Sequence, residues 1–158
     1  MKRVFLLILT TIIIFQSLIA CSTNKNVAFK EFYSNVIGFS KTDEEQTIQQ
    51  DTILMLTNEE FQRFKDRYFT PREIPMKSPD KEMAILYLQI PSQTSSVQGY
   101  SVESINVGND TLTVNLKKSS VAQVDGIEGF DGTWKWVMLV EVDKTNLKDN
   151  MKIIERND

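Results

Sequence analysis

The nine residues EMAILYLQI, from Glu82 to Ile90, carry apolar side chains at odd and even positions alike. Successive side chains of an extended strand point to opposite faces. A strand that is apolar on both faces belongs in the interior of a sheet, and Pro91 ends this one. A second run, TWKWVMLVEV from Thr133 to Val142, sets Trp134 and Trp136 on one face with Met138 and Val140, and is also apolar on its other face. Two such strands commit the chain to a β-rich core.

Between and around them lie shorter signals. Phe29 to Phe39 reads as a first strand, Ser40 to Gln50 as a loop carrying Asp43, Glu44 and Glu45, and Asp51 to Leu56 as a short apolar strand. TNEEFQRFKDRYF follows. Thr57 and Glu60 stand at the spacing of a capping box, Glu59 and Glu60 favour the positive end of a helix dipole, and Phe61, Phe64 and Tyr68 make one apolar face. Pro71 stops that helix, and Pro71, Pro75 and Pro79 mark residues 70–81 as a loop. Tyr100 to Val107 and Thr111 to Lys118 read as a hairpin around VGND. Val102, Ile105 and Val107 break the alternation of its first arm, which predicts a bulge. Ser119 to Gly132 reads as a long loop with Asp125, Glu128 and Asp131 at every third position. That spacing does not match an EF-hand, so these are read as solvated acids. The expected fold is α+β: a largely antiparallel sheet with one packed amphipathic helix, in a single domain over 29–145. Residues 146–158 read as a charged tail, helical or frayed.

The chain opens MKRVFLLILTTIIIFQSLIAC. Basic Lys2 and Arg3, an apolar run and small Ala20 before Cys21 form the pattern of a secretory signal over 1–20. The run is short for a spanning helix, which needs about 20 apolar residues. Leu18-Ile19-Ala20-Cys21 resembles a bacterial lipobox, which implies acylation of Cys21 and a lipidated tether over 21–28. Two or more acyl chains anchor a protein stably where one does not. Ser22 after the cysteine, rather than Asp, favours an outer-membrane or cell-surface location within the envelope.

Cleavage would leave 138 of 158 residues and, with Lys2 and Arg3 gone, take the net charge from −3 to −5. An acidic chain has no footprint for nucleic acid. There is no histidine and a single cysteine, which excludes histidine-based triads, zinc sites built on imidazole or paired thiolates and disulfides within the chain. No glycine-rich phosphate loop is present. No cofactor or metal is expected, and no catalytic constellation stands out.

QGYSVESINVGNDTLTVNLKKSS and GTWKWVMLVEVDKTN, with the helix TNEEFQRF before them, resemble the C-terminal domain of the PrcB family, named for a lipoprotein subunit of a spirochaete surface protease complex. The likeness spans Asp51 to Thr145 and rests on the Gly99–Tyr100 pair opening a strand, the alternating TLTVNL, and the aromatic strand ending in VEVDK. Gln98 stands where a second glycine is usual. The resemblance implies a non-catalytic lipoprotein that docks or stabilises an exported protease. Gly99 and Tyr100 are the candidate partner-binding residues, together with Trp134 and Trp136, whose aromatic row can make a binding platform though apolar residues on both faces of the strand favour core, and membrane contact is expected through lipid on Cys21. The alternative is a ligand-binding or structural envelope lipoprotein taking a peptide, glycan or cation.

Overall fold

A computed structural model describes residues 24–40, 52–68, 75–91, 96–123 and 132–157. Cys21, the acids Asp43, Glu44 and Glu45, and the acids Asp125, Glu128 and Asp131 lie outside them. The strands are β1 (Lys25–Asn26), β2 (Phe29–Ser40), β3 (Thr52–Met55), β4 (Met83–Pro91), β5 (Ser96–Val107), β6 (Thr111–Gln123), β7 (Gly132–Asp143) and β8 (Lys152–Asn157), with helix α1 (Asn58–Tyr68) after β3. The protein is mostly β with one helix among the described residues, which fits α+β broadly.

The strands form two sheets rather than one. One has the order β1-β5-β6-β8, the other β2-β7-β4-β3. The double-sided runs occupy the two interior places of the second sheet. Its even-numbered residues Leu86, Leu88, Trp136, Met138, Val140 and Val142 meet Val102, Ile105, Leu112, Val114 and Leu116 of the first sheet. Its odd-numbered residues Ile85, Tyr87, Val137 and Leu139 meet Phe61 and Phe64 of α1. Sheet, sheet and helix therefore stack as three layers, and the middle layer is buried on both faces. Ala84, Leu86, Leu88, Val137, Met138 and Val140 are wholly inaccessible. Truncating any of these leucines to Ala would cost about 2–5 kcal/mol.

The helix starts as its capping box requires. Glu60 N donates to Thr57 Oγ1 at 3.2 Å. Glu60 Oε2 in return accepts from Thr57 N at 2.9 Å and Leu56 N at 2.7 Å. The Phe64 ring packs on Tyr87 of β4 with centroids 5.0 Å apart.

The hairpin bulges as its pattern demands. Val102 pairs with Leu116 and Ser104 with Asn115, so Glu103 is the extra residue in β5. That insertion lets both Val102 and Ile105 face the core, though three positions separate them. A second irregularity lies on β6, where Ser119 and Ser120 together oppose Gly99, between Gln98↔Val121 and Tyr100↔Lys118.

Three further expectations change. Ser119 to Gln123 is strand, not loop, because it ladders with Ser96 to Gln98. Its exposed residues are Ser119, Ser120 and the solvent-facing Val121, so no buried hydrophobic pattern marks it. The segment read as a charged tail contains β8, which runs parallel to β6 from Thr111↔Lys152 to Leu116↔Asn157. Ile153 packs on the core there. Within 21–28, Lys25–Asn26 pair with Val107–Asn106 and Val27 is a core residue, so the folded unit begins earlier than Phe29.

Candidate functional site

The expected partner-binding residues converge, at the flank where β5 of one sheet lies beside β2 of the other. Gly99 follows from the β6 bulge opposite it. A Cβ there would lie 2.5 Å from Ser120 O, 2.9 Å from Ser119 Oγ and 2.9 Å from the Trp136 ring. Only glycine lets backbone and indole approach so closely. Trp136 then turns its Nε1–H outward along the flank, donating to Tyr100 O at 2.9 Å and Ser34 Oγ at 3.1 Å. Ser34 Oγ itself donates to Tyr100 O at 3.2 Å. Two residues on, Val102 N donates to Glu31 Oε2 at 3.0 Å. Side chains of the second sheet thus occupy two backbone groups of β5, Tyr100 O and Val102 N.

Of the four candidates, Gly99 is buried and Trp136 is 7% exposed, so both hold the two sheets together. Trp134 lies opposite Gly38 and packs partly buried on the same core. Tyr100 is also half-buried. The last two keep accessible surface.

The opposite flank is different. There β3 and β8 end their sheets, as β2 and β1 do on the first flank, and among the described residues neither outer edge is paired; what differs is the space between the two edges. Between them runs an open groove of about 540 Å³ lined by Thr52, Ile53, Leu54, Leu56 and Glu60 on one wall and by Lys148–Met151 and Ile153 on the other. Thr52 Oγ1 is buried in that lining and has no hydrogen-bond partner among the described residues. Asn150 turns the chain into β8 with φ 61°, a left-handed conformation that asparagine tolerates better than most residues. Sequence reasoning missed this groove because it left 146–158 outside the fold; the pair Ile153–Ile154 after Met151 was the available signal.

Charge at the strand ends is fixed by hydrogen bonds. The Asp80 carboxylate accepts from Met83 N at 2.8 Å and Glu82 N at 2.9 Å, and these amides hold its pKa below the ordinary carboxylate value. Asp143 is lowered likewise by the Thr145 hydroxyl and then by the Thr145 amide. Glu141, 6% exposed on the helix side of β7, is matched by Lys77, whose own pKa that hydrogen bond raises. Among the described residues no group of acidic, histidine or cysteine side chains is arranged to hold a metal ion. No described helix is long and apolar enough to cross a membrane.

Comparison of the chain with protein-family models, with curated proteins and with solved structures found no match.

Proposed function

We propose that this is a lipid-anchored, non-catalytic protein of the bacterial cell envelope whose domain binds an extended segment of a partner polypeptide along its open flank. The asymmetry of the two flanks carries this reading. On one side Tyr100 O and Val102 N of β5 are taken up by Trp136, Ser34 and Glu31. On the other, β3 and β8 line a groove whose Thr52 hydroxyl has no hydrogen-bond partner among the described residues. Adding a strand to an open sheet edge gives affinity through main-chain hydrogen bonds and specificity through side-chain pockets. The PrcB resemblance supplies the partner class, an exported protease that the protein docks or stabilises. The lipobox-like LIAC supplies the place, with acylated Cys21 as the tether.

The test is a crosslinked pull-down of the tagged, lipidated protein from its native envelope, read by mass spectrometry. One exported protein should be enriched, and Leu56→Glu in the groove should reduce its recovery at least tenfold without lowering Tm by more than a few degrees. Envelope extracts that yield no specific protein partner would sink the proposal.

A further inference from the structure

We propose that the domain stands end-on against the surface of a phospholipid bilayer, with the turn between β5 and β6 facing the headgroups. This rests on the tether reading of Cys21. Only Ser22 and Thr23 separate Cys21 from Asn24. Three residue steps reach about 10 Å even when fully extended. Asn24 is not the start of a free linker. Its Oδ1 lies 3.1 Å from where a Gly108 Cβ would stand, Lys25–Asn26 are strand β1, and Val27 is 6% exposed in the core. The acyl anchor is therefore tied by a short leash to one particular end of the sandwich.

That end is well defined. Lys148 Nζ donates to Asn109 O at 3.1 Å, Lys152 N to Asp110 O at 2.9 Å, and Lys25 Nζ to Asn146 Oδ1 at 3.5 Å. Exposed Lys25, Lys148 and Lys152 gather there, in a chain whose net charge without its signal is −5. Lysines close to a bilayer attract lipid phosphates, and here they stand among the exposed acids Asp110, 3.5 Å from Lys148, and Asp149. From Thr111, β6 rises ten residue steps to Val121, about 33 Å at strand spacing. Val121 is 54% exposed. Tyr100 and Trp134 lie in the far half, where β5 begins and β7 starts, whereas the Lys148–Ile153 wall of the groove lies near the bilayer.

The experiment uses the full-length, lipidated protein in phosphatidylcholine–phosphatidylglycerol vesicles. With the Cys21 thiol acylated, an introduced cysteine is the only free thiol. Asn109→Cys and Val121→Cys are spin-labelled in separate samples, with Lys148→Cys and Lys118→Cys as a second near and far pair should either of the first fail to fold. Collision with a nickel-chelating lipid headgroup is read by power saturation. The near labels should show a several-fold larger collision parameter than the far labels. Equal parameters, or a larger one at the far positions, in protein whose acylation is confirmed by mass spectrometry would overturn the orientation alone. A chain without acyl groups would overturn the tether and the orientation with it.

Discussion

Gly99→Ala tests the contact that locks the two sheets. The added methyl would sit 2.5 Å from a backbone carbonyl and 2.9 Å from the Trp136 ring, with Ser119 Oγ equally near. Ser119 can rotate away; the Ser120 carbonyl is held in the ribbon opposite β5, and the indole is held by two hydrogen bonds. Overpacking of this kind costs about 1–3 kcal/mol. Displacing the indole enough to lose a hydrogen bond adds about 0.5–1.5 kcal/mol. Against this, alanine reduces the entropy of the unfolded chain and returns about 0.4–1 kcal/mol. The net expectation is a loss of about 2 kcal/mol, or roughly 6–8 °C in Tm for a chain of this size. Urea unfolding followed by tryptophan fluorescence measures it. In a Trp136→Phe background the ring contact is relieved, and the cost of Gly99→Ala should fall by about 1 kcal/mol. A Gly99→Ala protein that melts within a degree of the parent, or above it, would refute the close approach and the role assigned to this glycine.

Glu60→Ala removes the acceptor for two amides at the start of α1 and should cost about 1–2 kcal/mol in urea unfolding, with Glu60→Gln retaining part of it. Asp80 and Asp143 have folded pKa values below their unfolded ones. The stability they contribute is present above the unfolded Asp value of about 3.9 and is lost as pH falls through the folded values. Asp80→Asn with Asp143→Asn should therefore flatten the fall of stability below about pH 4, as read from urea midpoints across that range. Ile153→Asp should release β8 and raise amide exchange over Thr111–Leu116, the stretch of β6 that β8 pairs with, more than over β7. Unchanged exchange there would mean that residues 152–157 add nothing to the sheet.

The middle layer was legible because burial on both faces leaves a continuous apolar run, as in β4 and β7. The helix was legible because Thr57 and Glu60 mark its start and Phe61 and Phe64 its inner face. The bulge at Glu103 was readable as a parity break between Val102 and Ile105. What stayed hidden has a common physical cause. β8 and the outer part of the β5–β6 ribbon are stabilised by main-chain pairing at an edge, where one face is wet and few apolar residues are required. KIIERN and SSVAQ accordingly read as tail and loop. Gly99, Tyr100 and Trp136 were singled out as a surface for a partner. The residues do meet, but Gly99 and Trp136 meet inside, as a bond between sheets. The groove on the other flank depends on two segments about a hundred residues apart, Thr52–Leu56 and Lys148–Ile153, and no local pattern joins them.

The most direct measurement is site-specific photocrosslinking in the living envelope. A photoreactive side chain is placed at Asp149, on the groove, and in a separate strain at Asn35, exposed on the closed flank beside β5. A module that takes its partner along the open flank should give a single protein adduct from position 149 and none from position 35. No adduct from either position, or the same adduct from both, would contradict it.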